Sequence, residues 1–313
     1  MRNVLVLGGY GAVGVHLVAE LRATGVNVIA AGRDAARADL VMDLTDPGLE
    51  AYTAALSGTD VVVNASGAEN PRLAALAGAH GVAFVDVTAT TDYVAELERL
   101  TPAAAVIVNV GLAPGLTNLL AAAVHRVSPG PIDLAVLLGV GEQHGAAATE
   151  WTYHLLGKRF HDGTQVTRNF TRPKTFDLPG EGRRRLYRVD FSDQRALCRD
   201  LGVQVRTYFG VDSTIATRAL ATLTWIPGAS RAPRGLHLPG TEDWLVLARG
   251  HNGATRWARG RAQSRATAVV AVIAVRAAAH LPPGIHHLHQ VLDINDVPPL
   301  RGIDLASSGC SAG

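Results

Sequence analysis

Residues 3–14 constrain the chain most. They read Asn3-Val4-Leu5-Val6-Leu7-Gly8-Gly9-Tyr10-Gly11-Ala12-Val13-Gly14. A short aliphatic run leads into a tight glycine turn, and apolar residues then recur at helical spacing at Val13, Leu17, Val18 and Leu21. Gly9, Gly11 and Gly14 fit G-x-G-x-x-G at a strand-to-helix junction. Each glycine serves a physical need. Gly9 permits the turn, Gly11 lets backbone approach a pyrophosphate, and Gly14 lets the helix pack close to the strand. Tyr10, Ala12 and Val13 fill the positions between, where backbone N–H groups and the positive end of a helix dipole favour an anion.

After this turn the chain alternates. Strand-like runs at 27–31, 40–42, 60–64, 83–87 and 106–110 are separated by helix-like segments near 47–57, 70–80 and 91–100, and 116–127 is again helical. Apolar strands joined by helices predict a parallel sheet covered on both faces. With the glycine turn, the predicted fold is α/β: a Rossmann-type doubly wound parallel sheet, a dinucleotide-binding domain over 1–127.

Cofactor choice turns on the end of the second strand. An acid there binds the ribose 2′-hydroxyl of NAD. Here Gly32 is followed by Arg33, whose guanidinium suits a 2′-phosphate, so NADP (NADPH) is expected ahead of NAD. Arg37 is a second candidate contact, and Asp34 either caps the next turn or takes the ribose. Asp43, closing the third strand, either accepts from the adenine amino group or shapes a turn. Asn64 and Ser66 end the fourth strand where backbone would pass the ribose and nicotinamide. Asn70, ahead of Pro71, reads as a helix N-cap. Asp86, Thr88 and Thr90 follow the fifth strand and either contact substrate or shape the loop. Gly111 opens a Pro-Gly turn, 111–118, at the same edge.

Composition narrows the class. The chain has 313 residues, 48% hydrophobic and 18% charged, with a formal charge of +2, so neither disorder nor nucleic-acid binding is indicated. No apolar run is long enough to span a membrane. Residues 2–7 lead straight into a strand, not a signal peptide, and two cysteines, Cys198 and Cys310, form no framework. The expectation is therefore a cytoplasmic protein. Among basic residues only Lys158 and Lys174 are lysines, so arginine number alone carries little.

The first half resembles the saccharopine dehydrogenase (saccharopine reductase) family. The resemblance rests on Gly9-Tyr10-Gly11-Ala12-Val13-Gly14 with Ala31-Gly32-Arg33, on Val61-Val62-Val63-Asn64-Ala65-Ser66-Gly67 with 81–88, and most specifically on 109–118. Ala113 stands where the family commonly has an acidic or variable residue. The resemblance covers 1–127 well and the remainder loosely. It implies reduction of C=N bonds in imines formed from amines and carbonyl acids, or the reverse oxidation. It also implies a second domain inserted before a C-terminal helix that returns to the nucleotide domain.

The second half reads as an α+β substrate or lid domain over 128–262. A strand at 133–140 precedes a polar and aromatic cluster of Glu142, His144, Glu150, Trp151 and His154, with a helix over 146–156. His144 is either a proton donor or an exposed loop histidine. Strands follow near 164–170, 186–191 and 203–209, with helices near 193–200 and 213–224, and 243–260 reads as a hairpin around Asn252-Gly253. Arg183-Arg184-Arg185, with Arg168, Arg172 and Lys174 before it, either clamps a substrate carboxylate or forms a solvated basic loop. The apolar helix 266–280 belongs in a core. By the resemblance, 263–304 packs back on the nucleotide domain, and 305–313 is a mobile tail. The histidines of 285–290 lack the spacing of a metal site and read as a domain-capping helix.

These readings converge on an NADP(H)-dependent oxidoreductase acting on a C–N bond of a small, carboxylate-bearing substrate. His144, Asp86 and Tyr153 are the candidate proton donors. Two rivals stay open: a non-catalytic NADP(H) sensor, and a reductase of a carbonyl or alkene. No nucleic acid, membrane or metal is expected, and a homodimer is the assembly to test.

Overall fold

The computed structural model describes residues 3–142, 146–163, 165–231, 240–297 and 303–308. It divides into two compact units. The first comprises Met1–Gly115 and Ser264–Leu292, and the second Leu116–Gln263 and Asp293–Gly313.

The first unit begins with β1 (Asn3–Leu7), α1 (Gly14–Ala23), β2 (Asn27–Gly32), β3 (Leu40–Val41), α2 (Glu50–Ala55), β4 (Val61–Asn64), α3 (Pro71–Ala79), β5 (Ala83–Asp86), α4 (Thr91–Leu97) and β6 (Ala105–Val108). β1 lies between β2 and β4 and runs parallel to both, with Leu5 opposite Ile29 on one side and Val62 on the other. A strand flanked in this way, with helices over its faces, has no wet side, which is why it reads as an unbroken aliphatic run. The chain moves outward from β1 to β3 and then returns to place β4 on β1's other side. That reversal opens a crevice beyond the carboxyl ends of β1 and β4, the place where such sheets take ligands. Beneath it Leu5, Leu7, Tyr52, Leu73, Phe84 and Leu97 are almost wholly buried. Tyr52 donates to the Leu73 carbonyl at 2.8 Å, so its hydroxyl is satisfied in the core. Asn70 caps α3 as expected, accepting from the Arg72 amide.

The second unit starts earlier than the alternation suggests. α5 (Leu116–Val127) belongs to it. Its buried face, Leu116, Leu119, Leu120, Ala123 and Val124, serves a second sheet, so the division falls at Gly115, not 127. There follow β7 (Ile132–Leu138), α6 (Ala146–Leu155), β8 (Arg159–Asp162), β9 (Gln165–Arg168), β10 (Thr171–Leu178), β11 (Gly182–Arg188), α7 (Asp193–Leu201), β12 (Val205–Val211), α8 (Thr214–Leu223), β13 (Asp243–Gly250) and β14 (Thr255–Arg261). The Asn252-Gly253 turn between β13 and β14 is present, with Gly253 at φ +88° and Asn252 accepting from the Ala254 amide. The Arg183–Arg185 run is strand, not loop: it lies in β11, paired with β10. Arg183 and Arg185 are exposed, while Arg184 between them donates to the Asp212 carbonyl.

The chain then re-enters the first unit. α9 (Gln263–Ala278) is buried along Ala268, Val270, Ala271, Ala274 and Val275, as an all-apolar helix must be. It leads to β15 (Gly284–His287) and one helical turn, α10 (Leu288–Val291). Here sequence and structure differ. Residues 284–287 are not a capping helix but a seventh parallel strand on β6, with Ile285 opposite Val106. Residues 293–297 belong to the second unit, whose last strand, β16 (Ile303–Ser308), pairs with β14. The first part of the expected mobile tail, 305–308, is therefore strand, and 309–313 lie outside the described residues. The second sheet has the order β10-β11-β12-β7-β13-β14-β16, antiparallel except for β12 beside β7.

Candidate functional site

The candidate site is the ligand edge of the first sheet, built from the segments that leave β1, β2, β4, β5 and β6. The glycine turn shows two kinds of position. A Cβ on Gly14 would lie 2.0 Å from the Gly8 carbonyl oxygen, and one on Gly9 would lie 2.5 Å from Ala30 Cβ. Both glycines are therefore committed to packing. A Cβ on Gly11 would meet only the Gly8 carbonyl, at 3.2 Å, so this position faces open space. Among the described residues the amides of Ala12 and Val13 take no hydrogen-bond acceptor, while those of Gly9 and Gly11 are held by the carbonyls of Ala31 and Gly8. Unpaired N–H groups ahead of α1 fit a diphosphate cradle. Gly8, which the motif does not count, sits at φ +75° with its Cα against the Ser66 backbone, so the turn after β1 packs on the turn after β4.

At the end of β2, Tyr10 lies over Gly32 and its hydroxyl accepts from the Asp34 amide at 2.8 Å. Arg37 stacks on the Tyr10 ring and donates to the Tyr10 carbonyl. Arg37 is thus committed to holding the turn. Arg33 is exposed and makes no hydrogen bond or ion pair among the described residues, so its fork is available to an anion. Asp43 accepts from both the amide and the hydroxyl of Thr45, which hold its carboxyl below the usual range, with a smaller push from the Arg33 charge. Asp43 therefore shapes a turn, and Asp46 makes a similar one with the Gly48 amide.

Asn64, Ser66 and Asp86 are brought together. Asn64 donates to Asp86 Oδ2 and to the Ala68 carbonyl, each at 2.9 Å, and its Oδ1 accepts from the Ser66 hydroxyl at 2.7 Å. Asp86 also accepts from the Tyr93 hydroxyl and the Thr88 amide. Asp86 is 1% exposed. Burial pushes its carboxyl above the usual range, against the pull of those bonds. Asp86 therefore sits behind the edge as the anchor of a polar network and does not face solvent. Tyr93, in α4, was invisible as a partner: only the fold brings its hydroxyl to the end of β5.

The turn after β6 closes on itself. A Cβ on Gly115 would fall 2.0 Å from the Gly111 carbonyl oxygen, and the Leu112 amide donates to Thr267 Oγ1 of α9 at 3.2 Å. Asn109 leads into this turn at φ +58° and is wholly buried.

Of the other candidates, Tyr153 is half-buried on α6 in the second unit, and His144 lies outside the described residues. Glu142 accepts from the Gln263 amide at 2.6 Å, and Trp151 packs on Phe191 with ring centres 4.9 Å apart. The second unit holds a carboxyl that the sequence did not single out. Asp193, 1% exposed, faces the Thr117 hydroxyl at 3.4 Å, and burial pushes it up to about 7. Among the described residues no group of three His, Cys, Asp or Glu is placed to hold a metal, and no helix is long and apolar enough to cross a membrane.

Comparison with known proteins adds the following. The profile of the NAD dependent epimerase/dehydratase family matches residues 4–108, β1 through β6, about a third of the chain. No curated protein sequence matches. Among solved structures, an amine dehydrogenase from Mycobacterium smegmatis is similar with a TM-score of 0.49 at 14% identity, over 96% of this chain and 97% of that one. A meso-dapdh mutant with DAP from Clostridium tetani gives 0.47 at 13% identity, over 96% and 97%. A dipicolinate-bound dihydrodipicolinate reductase from Paenisporosarcina gives 0.43 at 13% identity, over 93% and 100%. The first unit has a Rossmann-type doubly wound fold, and the second unit carries a mixed sheet.

Proposed function

We propose that the chain is an NADP(H)-dependent oxidoreductase of the saccharopine dehydrogenase-like type. Its reaction is reduction of the C–N double bond of a small imine derived from an amino or keto acid, or the reverse oxidation. The observation that carries the cofactor reading is the pairing of an open Gly11 cradle with an uncommitted Arg33 at the end of β2. Support for C–N chemistry comes from the family-like run 109–118, and support for a pyridine nucleotide from the profile match over 4–108.

In this reading the Ala12 and Val13 amides hold the diphosphate and Arg33 pairs with the 2′-phosphate. The nicotinamide, when bound, supplies or accepts a hydride. Ser66, fixed by Asn64, and the Gly111–Gly115 turn shape the edge on which its ring rests. Asp86, sealed in its network, holds Asn64 in place and leaves proton transfer to His144 or Tyr153. A substrate carboxylate would take an arginine fork.

The test is NADPH consumption with a panel of 2-oxo acids and amines, beside binding of NADPH and NADH to the wild type and to Arg33→Ala. Losing a phosphate-directed guanidinium is expected to weaken NADPH binding roughly 10- to 100-fold and to leave NADH unchanged. Equal loss for both cofactors would refute the role of Arg33. Tight NADPH binding with no turnover across the panel would refute the enzyme reading.

A further inference from the structure

A polar chain in the first unit runs from β15 to α4 and to the turn after β6. His287, at the end of β15, is 2% exposed. Asn109 Nδ2 lies 2.9 Å from its Nδ1, and Glu98 Oε1 lies 2.9 Å from its Nε2. An amide nitrogen can only donate and a carboxylate can only accept. With Nδ1 taking the Asn109 amide, Nε2 is the ring nitrogen that donates to Glu98. The ring joins the end of α4 to the residue that leads into the turn after β6, across a new edge strand. Asn109 is where such a tie matters. Its φ of +58° lies in the left-handed region, which asparagine adopts more readily than other non-glycine residues, and its burial holds it there. Beyond it the chain enters the closed turn at Gly111–Gly115, on the ligand edge.

We propose that His287 and Glu98 are positioning residues: through Asn109 they hold the 110–115 turn in the shape that receives the nicotinamide end of the cofactor. This rests on the cofactor reading above. Neither residue touches the ligand. The ring sets the direction of the Asn109 amide, and the carboxylate sets which ring nitrogen bears the proton. In this the pair acts as the partners behind a ligating histidine do, fixing the tautomer one step back from the site.

The experiment compares wild type with His287→Phe, Glu98→Ala and Glu98→Gln by NADPH titration and by hydrogen exchange of the 110–115 amides. His287→Phe and Glu98→Ala are expected to speed that exchange and weaken NADPH binding about tenfold, the scale of one lost buried hydrogen bond. Glu98→Gln keeps an acceptor for the Nε2 proton and is expected to stay within about threefold of wild type. Folded His287→Phe and Glu98→Ala proteins with wild-type exchange and affinity would overturn the proposal. So would a lowered melting temperature with unchanged affinity, since that is what mere packing predicts. A wild type that binds no NADPH would instead remove the cofactor reading, and the exchange measurement would still decide the tie between His287 and the turn.

Discussion

Asp193→Asn is expected to make the second unit more stable at pH 8 and to remove most of its dependence on pH between 4 and 8. The Asp193 carboxyl is wholly buried, and burial pushes it up to about 7, with the Asp190 charge adding to the shift and the Thr117 hydroxyl opposing it. An unfolded aspartate titrates near 3.9, so folding raises this group by about 3 units, or about 4 kcal/mol at 1.36 kcal/mol per unit. The sign follows from proton counting. Between pH 4 and 7 the folded chain keeps a proton that the unfolded chain has lost, so stability falls as pH rises through that window. The whole loss, up to about 4 kcal/mol, is present above pH 7. Asparagine is neutral at every pH and its Oδ1 still accepts from Thr117. The assay is urea unfolding followed by tryptophan fluorescence at pH 5 and pH 8. All four tryptophans, Trp151, Trp225, Trp244 and Trp257, lie in the second unit, so the signal reports that unit alone. A wild-type protein as stable at pH 8 as at pH 5, relative to Asp193→Asn, would refute the argument.

The glycine turn gives a paired test. Gly14→Ala forces a Cβ to 2.0 Å from a carbonyl oxygen and is expected to unfold or rearrange the first unit, whereas Gly11→Ala, at 3.2 Å, should keep the fold by circular dichroism. Gly11→Ala should nonetheless lose NADPH affinity by roughly tenfold or more, because the methyl enters the space the diphosphate needs. Asp162→Ala removes the carboxylate that the Arg188 guanidinium, 2% exposed, meets at 2.9 Å, leaving it only neutral acceptors at Thr207 and Gln194, and should cost the second unit about 3 kcal/mol in the same urea assay.

What the sequence made legible was what neighbours in sequence decide. The 3–14 run shows its strand, turn and helix within one span, and the β-branched triplet Val61–Val63 announces a buried strand. Asn70-Pro71 marks a helix start, and Asn252-Gly253 a hairpin. β15 was not legible because four residues with two histidines carry no strand period. They become a strand only because the edge of β6 offers Ala105–Val108 as partners. The Arg183–Arg185 run misled for a related reason. Its exposed arginines look like a solvated loop until β10 is set beside it. Arg188, a few residues on, is among the most buried side chains in the protein and gave no sign of it.

The ligand edge shows the same division on a finer scale, and it bears on how the site works. Its glycine-turn end depends on backbone, and backbone needs are written as glycines in one short segment. Its other end depends on the direction of side chains held from behind: Asn64 by Asp86, Asp86 by Tyr93, Asn109 by His287, His287 by Glu98. Asn109 and His287 lie 178 residues apart. A substitution at Gly11 should therefore act on cofactor binding and leave the fold intact, and its place can be read from the motif. One at Tyr93 or His287 should shift the geometry of the Asn64 or Asn109 end of this edge from behind, because buried polar groups move together when one partner is removed. The chain's return to the nucleotide unit through α9 and β15 is what supplies the Thr267 and His287 contacts to the 109–115 turn. That return makes the last fifth of the unit's sequence a condition for the shape of a site whose motif lies in the first fourteen residues.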